Sequence, residues 1–255
     1  MKELIINELK KIESEYKVRI LLAVESGSRA WGFPSPDSDY DVRFIYARPK
    51  EDYLRLEEVR DVIELPINDE LDINGWDLQK ALRLLYKSNP TLFEWFSSPI
   101  VYMETAFAEQ FRSIMTEYFS SQKSLYHYVS MAESNYREYL KRDMVKTKKY
   151  FYVLRPILAC NWVLNKQTPP PMLFDELAAS ELPAELKPDV DRLLDLKMNS
   201  PEIKEIPRVD SVNTYLDHEI VAIKGKIKAL AKEQTSSWEA LNELFLQTIN
   251  TSANL

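Results

Sequence analysis

Three aspartates and one glycine–serine step are the residues of this chain whose types and spacing suit chemistry. Asp39 and Asp41 stand two apart in Ser38-Asp-Tyr-Asp-Val42. Along a strand, positions two apart face the same way. Both carboxylates should therefore point to one side, with Tyr40 and Val42 turned to a core on the other. Neighbouring carboxylates repel unless a cation relieves them, and hard oxygen ligands suit a divalent ion. Asp72, between Leu71 and Ile73, is expected on an adjacent strand as a third ligand, because an aspartate so placed needs a partner. Three carboxylates can hold two ions about 4 Å apart. One would neutralise a triphosphate and the other would lower the pKa of an attacking hydroxyl.

Gly27-Ser28 precedes this cluster, with ten residues between Ser28 and Asp39. Glycine lets the backbone approach a ligand closely, and exposed amides with a serine hydroxyl can cradle phosphate oxygens. Arg29 follows directly and has two readings, a phosphate contact or a salt bridge to an aspartate of the cluster. An EF-hand is excluded, since its sixth and twelfth positions would be Val42 and Arg48 instead of Gly and Glu. A P-loop is excluded because no Gly-Lys-Ser/Thr follows the turn. Asp37 reads as a turn residue or cap.

A second candidate region is basic. Lys141 to Lys149 holds five basic residues and one acid in nine positions. Lys148, Tyr152 and Arg155 lie at helical spacing and share a face. That face suits a triphosphate or an RNA backbone, with tyrosines available to stack on a base. The competing reading is a solvated helix surface that balances the acidic remainder.

The elements that must position these residues follow from periodicity. An amphipathic helix is expected over the first 16 residues, with Ile5, Leu9, Ile12 and Tyr16 on one stripe. Val18 to Val24 is a nearly continuous apolar run, as in a strand buried on both faces. Further strands are expected at 39–47, 59–66 and 71–76, with a turn at Asn68-Asp69. Asp77 should cap a helix over 78–87, and Pro90 should begin another. Strand signals fade after about Val101, and helices are expected at 105–119, 124–140, 144–164, 189–198, 210–233 and 237–249. Pro156 should kink or break its helix. The fold class is therefore α+β: a mixed sheet with flanking helices over 1–104, which carries the catalysis, then a helical substrate-binding bundle over 105–255.

Composition narrows the chemistry. The chain has 255 residues and a formal net charge of -7, which excludes bulk non-specific attraction to nucleic acid. With Cys160 as the one cysteine and two histidines, His127 and His218, neither a disulfide, a thiolate cluster nor a histidine-rich zinc site is open to it. A divalent metal must rest on carboxylates, which favours Mg²⁺ or Mn²⁺. No apolar run approaches the roughly 18 residues of a membrane span, and the N-terminal stretch is charged throughout, so a cytoplasmic location without membrane partners is expected.

The set of motifs resembles that of Pol β-type nucleotidyltransferases: Gly27-Ser28, ten residues, Asp39-Tyr-Asp41 and a later strand aspartate. The wording Glu25-Ser-Gly-Ser-Arg-Ala-Trp-Gly32, Asp72-Ile-Asn-Gly-Trp-Asp-Leu78, Lys87-Ser-Asn-Pro90 and Ser98-Pro-Ile100 resembles more closely the RNA-repair-pathway DNA polymerase β family. The resemblance implies a Pol β-like fold and transfer of a nucleoside monophosphate from an NTP to a hydroxyl. It implies Asp39, Asp41 and Asp72 as catalytic metal ligands, and Gly27 and Ser28 on the phosphates. It also favours a phosphate role for Lys148 and Arg155. An RNA end is the acceptor the family association points to. A small molecule, a protein hydroxyl, or a non-catalytic nucleotide-binding module are the other readings.

Overall fold

The computed structural model describes residues 1–66, 70–199, 205–230 and 236–251. The elements in chain order are α1 (Lys2–Tyr16), β1 (Arg19–Ser26), α2 (Gly27–Ala30), β2 (Tyr40–Ala47), α3 (Lys50–Tyr53), β3 (Val62–Glu64), β4 (Leu71–Asp77), α4 (Leu78–Tyr86), α5 (Pro90–Phe96), β5 (Val101–Glu104), α6 (Ala106–Met115) and α7 (Ser121–Tyr139). They continue with β6 (Met144–Lys146), α8 (Thr147–Lys166), α9 (Phe174–Glu181), α10 (Lys187–Met198), β7 (Glu205–Pro207), α11 (Asp210–Lys228) and α12 (Glu239–Thr251). The fold class is α+β, as expected.

The chain forms two compact units. The first comprises Met1–Gly27, Asp39–Phe119 and Thr235–Leu255; the second comprises Ser28–Ser38 and Ser120–Gln234. This division differs from an expected cut after residue 104. The reason is packing: Phe107, Ala108 and Phe111 of α6 and Leu241 and Leu244 of α12 share one buried cluster with Leu22, Leu82 and Phe93.

In the first unit a five-stranded sheet has the order β3-β4-β2-β1-β5. β2 and β4 run parallel, and the other pairs are antiparallel. One face packs on α1, through Ile5, Leu9 and Ile12 against Ile20, Val42, Phe44 and Tyr46. Tyr16, expected on the same stripe, is 42% exposed, because the chain leaves the helix at Lys17 in a left-handed turn. The other face packs on α4, α5, α6 and α12 through Val24, Ile45 and Ala47. Alternation thus splits β2 into two sets: Val42, Phe44 and Tyr46 look one way, Ile45 and Ala47 the other.

Local signals hold where they are strongest. Asp77 caps α4, its Oδ1 accepting from the Gln79 amide at 2.8 Å, and Asn89 caps α5 by accepting from the Thr91 amide at 2.9 Å. β5 is the strand of the five-stranded sheet that the periodicity missed; with four residues it is too short for alternation to register. The Asn68-Asp69 turn lies outside the described residues.

The second unit is helical, with α7, α8 and α11 around Tyr128, Val129, Phe151, Leu154, Ile157, Leu216 and Ile223. The helix expected from Met144 begins at Thr147, because Met144–Lys146 pairs instead with Glu205–Pro207 as a two-stranded ribbon. α8 continues through Pro156 without ending. The helix expected over 210–233 ends at Lys228. No helix among the described residues is long and apolar enough to cross a membrane.

Candidate active site

Asp41 and Asp72 are direct register neighbours on the parallel strands β2 and β4. Both carboxylates meet one cation, and it is a side chain. Nη2 of Arg43 lies 3.3 Å from Asp41 Oδ1 and 2.7 Å from Asp72 Oδ2. Nη1 donates to the carbonyls of Asp72 at 2.8 Å and Val42 at 3.0 Å. The three side chains are partly exposed, at 31% for Asp41, 30% for Asp72 and 19% for Arg43. Arg43 follows Asp41 by two positions, so the alternation that turns Asp41 to this face turns Arg43 there as well. That signal was present in the sequence beside the aspartates.

Asp39 is exposed and precedes β2 by one residue. Among the described residues, no group of three or more His, Cys, Asp or Glu side chains is gathered for one metal ion. The donors that do converge, Asp41 and Asp72, are carboxylates focused on one nitrogen. Such a hard-oxygen pair fits Mg²⁺ or Mn²⁺.

Gly27 follows β1, opens α2 and lies against Asp41. Its φ is +62°, and a Cβ on it would stand 2.1 Å from Asp41 Oδ2. The position therefore needs glycine twice, for the left-handed backbone and for the contact. Asp41 is also held from its backbone. Its amide donates to Glu25 Oε1 at 2.7 Å, and the Tyr102 hydroxyl donates to Glu25 Oε2. Ser98 Oγ donates to the Glu25 carbonyl at 2.6 Å. Glu25 is 0% exposed, and burying a carboxylate is costly without such donors. A glutamate at the end of the apolar run 18–24 was the sequence signal for this network.

The remaining candidates belong to the helical unit. Ser28 Oγ donates to Ser38 Oγ at 3.1 Å, and Arg29 Nη2 donates to the Ser38 carbonyl at 2.7 Å. Ser35 and Ser38 hydroxyls are 2.8 Å apart. Lys197 Nζ donates to both, at 3.2 and 3.4 Å, and is 4% exposed. Lys197 escaped notice because of its residue type, although it continues the apolar stripe of Val190 and Leu193 at helical spacing, and that spacing was the signal of its burial. Lys148 is half-buried in the first turn of α8. Arg155 is 3% exposed, with its guanidinium 4.8 Å from the Trp31 ring centroid and Nη2 3.6 Å from Met172 Sδ. Its shared helical face with Lys148 therefore does not make it a solvated surface cation.

A cavity of about 710 Å³ in the first unit is lined by Arg48, Tyr53, Asp77 and Lys80, at the opposite end of β2 and β4 from Asp41 and Asp72. Its cations already face acids: Arg48 is 3.6 Å from Asp77, and Lys80 is 3.0 Å from Asp61. The acid pair is the better candidate, because it focuses two carboxylates on one point. Cys160 is fully buried, which pushes its thiol pKa far up, so it is no nucleophile. Trp76 packs on Trp95 with ring centroids 4.1 Å apart.

Comparison with known proteins bears on this geometry. Residues 1–247 match the model of the RNA repair pathway DNA polymerase beta family. An uncharacterized protein YcgL of Bacillus subtilis (strain 168) is 52% identical over 252 residues, covering 98% of this chain and 96% of the relative. A nucleotidyltransferase-like protein from Exiguobacterium sibiricum 255-15, solved by crystallography, aligns over 97% of this chain and 80% of its own at 12% identity, with a TM-score of 0.32.

Proposed function

We propose, from the premise that this chain belongs to the RNA repair pathway DNA polymerase beta family, that it is an NTP-dependent nucleotidyltransferase. The reaction forms a bond between an acceptor hydroxyl oxygen and the α-phosphorus of an NTP and releases pyrophosphate. The observation that carries this reading is the focusing of Asp41 and Asp72 on a single point from neighbouring strands.

Asp41 and Asp72 would hold Mg²⁺ or Mn²⁺, and Asp39, which is not gathered with them into a three-acid group, is proposed as a further ligand. A divalent ion bound there supplies neutralisation of phosphate charge and a lower pKa for the attacking hydroxyl. Glu25 fixes the backbone from which Asp41 projects, and Gly27 keeps the Asp41 carboxylate in place. Ser28 and Arg29, next in the chain, are proposed to bind phosphate oxygens by their donor chemistry. Lys148 and Arg155 are proposed as further phosphate-directed cations. The acceptor we favour is an RNA end, on the ground of the family to which the chain belongs.

The test is incubation of the protein with each α-labelled NTP, Mg²⁺ and a mixed RNA pool, beside Asp41→Asn and Asp39→Asn. Label should appear on RNA with the unaltered chain, and each variant should lose transfer by orders of magnitude while folding normally. Label on protein or on a small molecule would replace the RNA acceptor. Full transfer by either variant would move the catalysis elsewhere.

A further inference from the structure

Like charges on adjacent strands should push Asp41 and Asp72 apart, yet the two carboxylates face one another across Arg43. The guanidinium is not a casual surface contact. Two backbone carbonyls, of Val42 and Asp72, anchor Nη1, while Nη2 spans both acids. The fork of an arginine matches this set of four acceptors in a way a lysine point charge does not.

We propose that Arg43 is a built-in counter-cation of the acid pair. It keeps Asp41 and Asp72 converged without metal, and it competes with a divalent ion for the same carboxylate oxygens. This inference rests on the reading of Asp41 and Asp72 as metal ligands. Because Nη2 occupies the point between the two acids, an ion placed at that point has to displace it. Once displaced, Arg43 is a cation without its carboxylates, beside the proposed position of the ion. A polyphosphate is the group of matching charge and geometry to receive it. Arg43 thus acts as a positioning residue that makes metal and nucleotide loading mutually dependent: metal alone binds weakly, and metal with an NTP binds well.

The experiment measures Mn²⁺ affinity by the electron paramagnetic resonance of the free ion, with no turnover. The proteins are the unaltered chain, Arg43→Gln and Arg43→Lys, each with and without a non-hydrolysable NTP analogue. Without nucleotide, Arg43→Gln should bind Mn²⁺ about tenfold more tightly than the unaltered chain, and Arg43→Lys, which keeps the charge but not the fork, should fall between the two. The analogue should tighten Mn²⁺ binding to the unaltered chain far more than to Arg43→Gln. Equal or weaker Mn²⁺ binding by Arg43→Gln, with binding still abolished by Asp41→Asn, overturns the role of Arg43 alone. Mn²⁺ binding that survives Asp41→Asn and Asp72→Asn overturns the metal reading of the pair and this inference with it. A second measurement needs no variant of Arg43. In the ¹⁵N spectrum of arginine side chains, the restrained Arg43 guanidinium should be released on titration with Mg²⁺. An Arg43 signal unchanged at saturating Mg²⁺ overturns the competition.

Discussion

Asp41 owes its orientation to three neighbours, each acting on a different atom. Arg43 meets Oδ1, Gly27 lies against Oδ2, and Glu25 accepts from the amide. The most sensitive of these to a small change is Gly27. In Gly27→Ala the new methyl would land 2.1 Å from the carboxylate oxygen, so Asp41 must turn or the strand end must shift. A displacement of about 1 Å at a reacting centre costs on the order of a hundredfold in rate. The left-handed φ adds about 1–2 kcal/mol of backbone strain for an alanine. Gly27→Ala should therefore lose transfer activity about a hundredfold while its urea midpoint falls only modestly. A steady-state assay beside an unfolding curve checks both, and a variant of normal rate would show that Asp41's present rotamer is not needed.

Segment 28–38 shows how an element can be held by side chains in place of regular structure. Beyond the short turn of α2, it packs Phe33 against Phe151 and Phe174, with centroids 4.8 and 5.3 Å away. Its serines form a chain of hydroxyls ending on the buried Lys197 of α10. The Ser35 amide also donates to Ser38 Oγ at 2.9 Å. Lys197→Met keeps the aliphatic stem and deletes the ammonium that orders those hydroxyls. Hydrogen exchange at the Ser35 and Ser38 amides should then accelerate about tenfold, the equivalent of one lost hydrogen bond. Unchanged protection of those amides would assign the segment's order to its aromatic contacts alone.

At the scale of the molecule, the sheet-bearing unit takes residues from both ends of the chain. Leu241, 1% exposed, brings α12 into the same core as α4, α5, α6 and β1. Leu241→Ala should cost about 2–5 kcal/mol of stability, the usual range for emptying a buried leucine site. Thermal unfolding followed by tryptophan fluorescence reads this, because Trp76 and Trp95 both lie in the affected unit. A midpoint within a degree of the unaltered chain would mean that α12 adds little to that core.

What the sequence by itself determined was periodic or chemically local. Alternation in β2 placed Asp41 on one face and Val42, Phe44 and Tyr46 in the core, because a strand's period of two admits no other arrangement. The cap at Asp77 was legible for the same reason, since a cap bonds only to residues two or three ahead. The α+β class and the family motifs also follow from local order in the chain. Only the tertiary structure decided which charges meet. The sequence shows Arg43 beside Asp41, but the parallel register of β4 is what brings Asp72 to the same guanidinium. It likewise decided that Glu25, Lys197 and Arg155 are buried, and that residues 28–38 group with the helices while α6 and α12 join the sheet. Burial of a charge and membership of a core depend on partners many residues away. A residue's own stretch of chain can mark the face it lies on, as the apolar run before Glu25 and the stripe of Val190, Leu193 and Lys197 do, but it does not name the distant partners that cover that face within each unit.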